Sequence, residues 1–135
     1  MIDYEKDLMG LQGNNETVLI VEDYLSLRVA LREMLAENGY RVLEATDPGE
    51  AMTIFDREKD IRIVISDLSL PEISGLELLE KMKNARPGIR AILASGFVED
   101  EQKGEMERKG IDLFLQKPYT PLELLTKVRK ALGAH

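Results

Sequence analysis

Five short runs rich in Val, Ile and Leu alternate with stretches whose apolar residues recur every three to four positions. The runs are Thr17–Val21, Tyr40–Ala45, Ile61–Ser66, Arg90–Ala94 and Leu113–Gln116. Each run is short enough to be a strand and each gap long enough to hold a helix. The alternation therefore predicts a parallel sheet with crossover helices. In such a sheet, side chains just past the carboxyl ends of strands converge on one crevice. Four of the five runs lead into polar residues there: Glu22 and Asp23, Asp67, Ser95, and Lys117 followed by Pro118. Three carboxylates, a hydroxyl and an ammonium are thus expected in one place. Carboxylates so close repel one another unless a cation sits among them. A lysine and a hydroxyl beside a hard cation suit the handling of a phosphoryl group.

Other chemistry is excluded by what the chain lacks. It has no cysteine, and its single histidine is His135, the last residue. Disulfides, thiolate zinc sites, thiol nucleophiles, a Ser-His-Asp triad and a histidine metal cluster are all ruled out. Acidic residues outnumber basic ones 25 to 18, for a net charge of −7, which argues against a broad nucleic-acid surface. No apolar stretch approaches the roughly 20 residues that span a bilayer. The start, Met1-Ile-Asp-Tyr-Glu-Lys, is acidic with no apolar core behind it, so it does not read as a signal peptide. The expectation is a soluble, cytoplasmic chain of 135 residues built on one core.

Residues 1–16 show no clear period and end in Gly10, Gly13, Asn14 and Asn15. We read 1–16 as a flexible leader or linker, with room for a helical turn at Tyr4–Met9, and 17–135 as the domain. Leu25 to Asn38 places Leu27, Leu31, Met34 and Leu35 on one helical face before the stop signal Gly39. Asp47-Pro48-Gly49-Glu50, Ser74 with Glu77, and Thr120-Pro121-Leu122-Glu123 are capping signals. The helices they open carry Ala51, Ile54 and Phe55, then Leu76, Leu79 and Met82, then Leu122, Leu125, Val128 and Leu132. Glu99 to Lys109 is polar almost throughout and contains Gly104, so it is the weakest helix and is expected to be the most mobile. Ile61–Ser66 is the most continuously apolar run and belongs at the centre.

Each polar site has an ordinary explanation of its own. Glu22 and Asp23 suit a helix N-cap, Ser95 a turn before Gly96, and Lys117 a surface position before a proline turn. Asp67 is harder to dismiss, because Ser74 is the better cap for the helix that follows. Four such coincidences, each at a strand end, favour the functional reading.

The segments V-L-I-V-E-D at 18–23, V-I-S-D-L-S-L-P at 64–71 with Ser74-Gly75 behind it, A-S-G at 94–96 and F-L-Q-K-P at 114–118 resemble the receiver domain of two-component response regulators. The resemblance runs from Thr17 to Leu132. It implies a flavodoxin-like, doubly wound five-stranded parallel sheet of order 2-1-3-4-5 with five helices. It also implies Asp67 as phosphoacceptor and Mg²⁺ (or Mn²⁺) as cofactor. Asp23 would ligate the metal directly, Glu22 through a water, and Ser69 by its backbone carbonyl. Ser95 would be the hydroxyl that turns toward the phosphoryl group, Phe114 the aromatic that follows it, and Lys117 the ammonium on the phosphoryl oxygens. The Lys117–Pro118 bond is cis in relatives. Glu22, Ser95 and Phe114 depart from the commoner Asp, Thr and Tyr without removing chemistry. Ser69 and Phe97 stand where side chains govern hydrolysis in relatives, and both disfavour a positioned water.

The function so implied is that of a phosphorylated signalling domain, not an enzyme in the usual sense, although it assists its own phosphotransfer and autodephosphorylation. Having no internal histidine, the chain needs a histidine kinase or histidine phosphotransfer domain as donor. The donor docks around the first helix, with Leu25, Leu27 and Ala30, and output leaves through the fourth helix, fifth strand and last helix. No nucleic-acid or membrane contact is implied for this chain, and a monomer or weak homodimer is expected. Two parents fit: a free-standing receiver, or the C-terminal receiver of a hybrid histidine kinase. Among other classes, a flavin carrier needs a Thr/Ser/Gly-rich first loop where this chain has Glu22-Asp23-Tyr24. An aspartate phosphohydrolase needs a second Asp where Leu25 stands, and a pseudo-receiver usually loses Asp67 or Lys117.

Overall fold

The computed structural model describes residues 10–133, so the turn read at Tyr4–Met9 lies outside the described residues. Five strands alternate with five helices: β1 Thr17–Val21, α1 Leu25–Ala36, β2 Arg41–Ala45, α2 Pro48–Arg57, β3 Ile61–Asp67, α3 Gly75–Ala85, β4 Arg90–Ser95, α4 Asp100–Arg108, β5 Leu113–Gln116 and α5 Pro121–Ala131. The strands form one sheet in the order β2-β1-β3-β4-β5, and every pairing is parallel. This is the doubly wound arrangement that the alternation predicted. Each of the first four helices carries the chain back to start the next strand in the same direction.

Strand side chains alternate between two apolar layers. Leu19, Val21, Val64 and Leu93 join Phe55 of α2, Leu79 and Met82 of α3, and Met106 of α4. Val18, Ile20, Ile65 and Ile92 join Leu31 and Leu35 of α1 and Leu124, Leu125 and Val128 of α5. β1 is buried along its whole length because both of its faces are covered. Near the start of β3 the ladder slips: Thr17 pairs with Ile61 but Val18 pairs with Ile63. The extra residue, Arg62, is left without a partner on β1, as in a bulge, and is exposed.

Two helical faces differ from the periodicity reading. In α1, Leu31 and Leu35 are buried, but Leu27 is 45% exposed. The core-facing stripe is narrower than four leucine-like positions suggested, because only one side of α1 meets the sheet. In α5 the buried set is Leu124, Leu125, Val128 and Ala131. Leu122 and Leu132 sit at its margin, so the helix is rotated from the face expected. Three caps follow the capping signals: Asp47, Ser74 and Thr120 accept from the backbone N–H of Glu50, Glu77 and Glu123. The Glu50 carboxylate reaches the N–H of Thr46 at 3.0 Å. α4 has a start signal of its own that composition hid, since Gln102 Oε1 accepts from the Glu99 N–H at 3.0 Å. Met106 is its one buried residue.

Within one layer, Arg86 at the end of α3 stacks its guanidinium 3.8 Å from the Phe55 ring centre of α2. It also donates to the carbonyls of Phe55 and Glu58. Those are carbonyls at the end of α2, so the arginine supplies partners that a helix terminus lacks.

Candidate functional site

All four polar strand ends lie along the carboxyl edge of the sheet, and the ladder itself sets their spacing. The N–H of Glu22 donates to Ala45 O at 3.1 Å, extending the β1–β2 pairing by one residue. Arg28 of α1 donates to Glu22 O at 3.0 Å. Glu22 is thereby held with only 4% exposure, while Asp23, one residue on, is exposed. Asp67 closes β3 opposite Ala94. Ser95 closes β4, and its carbonyl accepts from the Lys117 N–H at 2.9 Å, which brings the end of β5 alongside.

Lys117 joins the acids. Its Nζ lies 2.7 Å from Glu22 Oε1 and 3.2 Å from Asp67 Oδ1. Glu22 Oε2 also accepts from the Tyr24 N–H at 3.2 Å. Burial alone would lower the Lys117 pKa. The hydrogen bond to Glu22 and the charges of Asp67 and Glu22 outweigh burial and hold it above the ordinary lysine value. Tyr119, two residues on, has its phenol pushed up by burial, partly offset by Lys117. The Lys117–Pro118 peptide is cis.

One carboxylate oxygen each from Glu22, Asp23 and Asp67 lies within 4.8 Å of the others. Three hard, anionic oxygens so close, against one ammonium, fit a small divalent cation. Ser69 follows in the loop and is exposed.

The hydroxyl does not join this group. Ser95 Oγ donates to Phe97 O at 2.8 Å and accepts from the Phe97 N–H at 3.2 Å, so it is engaged within its own loop. The Phe97 ring is 73% exposed. It lines a depression with Gly96, Val98, Lys103, Phe114 and Gln116, and none of the three carboxylates lines it. Phe114 packs against the α2–α3–α4 layer. Two participants were not legible as such. Arg28 tethers the Glu22 carbonyl, and Ser66, wholly buried, donates to Asp67 O at 2.9 Å. A serine within the most apolar run was the available signal for Ser66. Arg28 had none, since its contact spans a turn.

Against known proteins, residues 18–129 match the response regulator receiver domain family. The sensor kinase CckA of Brucella abortus is 34% identical over 127 residues, which are 93% of this chain but 13% of that protein. Sporulation initiation phosphotransferase F of Bacillus subtilis is 30% identical over 118 residues, 87% of this chain and 94% of that one. A CheY-like receiver domain protein from Methanospirillum hungatei superposes with a TM-score of 0.84 at 30% identity, covering 88% of this chain and 94% of its own. The family match spans most of the chain, and a relative of nearly the same length and a solved structure agree with it; the chain belongs to the response regulator receiver domain family.

Proposed function

We propose that the chain accepts a phosphoryl group onto Asp67 from a phosphohistidine on a partner histidine kinase or histidine phosphotransfer domain. The observation that carries this reading is the Lys117 ammonium, set 3.2 Å from Asp67 and 2.7 Å from Glu22 inside a group of three carboxylates. An Asp67 oxygen attacks the phosphorus in line. The new O–P bond forms as the P–N bond breaks, and the bonding pair stays with the partner's imidazole nitrogen. Lys117 lies where it can leave Glu22 for the arriving phosphoryl oxygens, and Ser95 can join it once its hydroxyl gives up the Phe97 backbone. Asp23, Asp67 and the Ser69 carbonyl would hold Mg²⁺ (or Mn²⁺), with Glu22 acting through a water. The ion would neutralise charge on the phosphoryl oxygens. Water attack on the phosphorus of the resulting acyl phosphate breaks the Asp67 O–P bond, which releases inorganic phosphate and returns the carboxylate; this is the autodephosphorylation the domain assists.

The donor's docking face in this reading is a groove of about 420 Å³ lined by Leu27, Ala30, Met34, Lys117, Pro118 and Tyr119. Tyr24 and Leu25, each 64% exposed, stand beside it in sequence. Output runs through the α4-β5-α5 surface. The domain proper is residues 17–135 with 1–16 leading in, cytoplasmic, and monomeric or a weak homodimer. No described helix is long and apolar enough to cross a membrane. Both a free-standing receiver and the receiver of a hybrid histidine kinase remain compatible parents. The match to CckA, of which this chain spans 13%, supports the second.

The test is incubation with a small acyl phosphate and Mg²⁺ followed by intact mass. Wild type gains one phosphoryl group and Asp67→Asn gains none. Equal labelling of the variant would remove Asp67 from the role.

A further inference from the structure

We infer that Ser66 and Gly75 are positioning residues for the Asp67 carboxylate, clamping the acceptor's own main chain so that its side chain leaves the strand in one geometry. This rests on Asp67 being the phosphoacceptor.

Ser66 has no exposed surface. Its hydroxyl needs a partner inside the core, and it donates to the Asp67 carbonyl at 2.9 Å. The first residue of α3 closes on the same carbonyl. A Cβ placed on Gly75 would lie 1.9 Å from Asp67 O, 2.8 Å from Asp67 C and 2.9 Å from Ser66 Oγ. No side chain fits there, because the start of α3 rests directly on the acceptor's peptide group. The Gly75 N–H donates to Leu68 O at 2.8 Å, and the Leu68 N–H donates to Ala94 O at 2.9 Å. The main chain at Asp67 and Leu68 is therefore held by β4 through the ladder and by α3 at the loop's end. The intervening loop is drawn tight. Ile73 N–H donates to Pro71 O at 2.8 Å, and Glu72 between them has φ +70°, a conformation that non-glycine residues rarely adopt.

A purely structural role for the pair would show in stability alone. Positioning has a different signature. The Asp67 carboxylate is two torsions from its Cα, so a shift of the main chain moves the attacking oxygen with it. In-line transfer tolerates little of this: about 1 Å of misplacement costs roughly 10²-fold in rate. Asp67 would share the cation with Asp23 and Glu22 from a different strand end, and Mg²⁺ keeps several waters that can take up a small shift of one carboxylate. Loss of the clamp should slow phosphorylation at saturating donor while leaving cation affinity nearly intact.

The experiment follows initial phosphorylation of the full chain by acetyl phosphate, read as intact mass, beside Mg²⁺ affinity by titration calorimetry. Wild type, Ser66→Ala, Gly75→Ala and Asp67→Asn are compared. Ser66→Ala is expected to be about tenfold slower at saturating donor, with the half-saturating donor concentration and Mg²⁺ affinity each within about twofold of wild type. Gly75→Ala should be slower still. Ser66→Ala removes one atom and adds none, so it decides the matter even where Gly75→Ala does not fold. A wild-type rate in Ser66→Ala, or a rate loss matched by an equal loss of Mg²⁺ affinity, overturns the inference alone. If wild type gains no mass, or Asp67→Asn still gains it, the phosphoacceptor reading fails and the inference falls with it.

Discussion

At the residue scale, the two neighbouring acids after β1 do different work. Glu22 is buried and bonded to Lys117, whereas Asp23 is exposed and bears on the cluster as an uncommitted carboxylate. Asp23→Asn should therefore weaken Mg²⁺ binding by about tenfold or more, roughly 1.4 kcal/mol, and by more than Glu22→Gln does. Metal titration of both variants checks the ranking, which an equal loss would reject. Asp23→Asn should also raise the melting temperature without Mg²⁺, because one of three mutually repelling charges is gone. Lys117→Ala should do the reverse. It leaves the carboxylates unopposed, so metal-free stability drops, and added Mg²⁺ should recover more stability in the variant than in wild type. Melting curves with and without the ion test this, and a variant no less stable than wild type would show that the ammonium does not hold the cluster together.

At the element scale, residues 11–16, just before β1, are fastened to the domain. Gly13 N–H donates to Asn38 O and Asn15 N–H to Gly39 O, both at 2.7 Å, and Arg41 N–H donates to Glu16 O at 3.0 Å. Leu11 packs against the α1–α5 layer. Gly13 lies against Tyr40 so closely that an added Cβ would sit 2.7 Å from the ring. Gly13→Val should thus cost about 1–3 kcal/mol by overpacking, read as a lower urea midpoint, and an unchanged midpoint would mean that this contact contributes nothing. Tyr40 itself is buried with its hydroxyl unpartnered among the described residues. Burial, then the Glu16 charge, push its pKa above the ordinary tyrosine value, and Arg129 offsets only part of this. A raised folded pKa means stability that is fully present below about pH 10 and is lost as pH rises through the folded value. Tyr40→Phe should accordingly flatten the alkaline loss, and at neutral pH leave stability unchanged or raise it by about 1 kcal/mol. Urea unfolding at neutral pH and near pH 11 separates the two effects. An alkaline limb identical to wild type would place the titration elsewhere.

At the scale of the whole molecule, the site and the proposed output surface lie on neighbouring strands. Ser95 ends β4, Phe97 follows it, and Phe97 shares its depression with Lys103 of α4 and Phe114 of β5. Movement of the Ser95 hydroxyl toward the carboxylates must break two hydrogen bonds to Phe97, which frees the loop that leads into α4. That helix buries only Met106, so its displacement exposes little apolar surface. Beryllofluoride with Mg²⁺ should change amide-exchange protection in α4 and in residues 96–99 of wild type, and much less in Lys117→Ala. An equal change in both proteins would show that Lys117 does not couple the site to the surface.

Residue order by itself determined the sheet, the positions of its strands to within a residue and the nearness of Glu22, Asp23, Asp67 and Lys117. Apolar period and strand-end polarity are local properties, and parallel topology turns them into one crevice. Three of the helix starts were equally legible, because a cap acts within one turn. What only the tertiary structure decided depends on register between distant segments. Lys117 meets Glu22 across 95 positions, and whether it bonds that acid or Asp67 more closely is set by where β5 stops relative to β1. The Ser95 hydroxyl faces Phe97 because the β4–α4 loop offers nearer partners than the carboxylates do. The exposed Leu27 and the rotated face of α5 follow from how each helix rests on a twisted sheet, which periodicity does not encode. The contact of Gly75 with Asp67 arises only when α3 docks, since the absence of a side chain matters only once another backbone occupies its place.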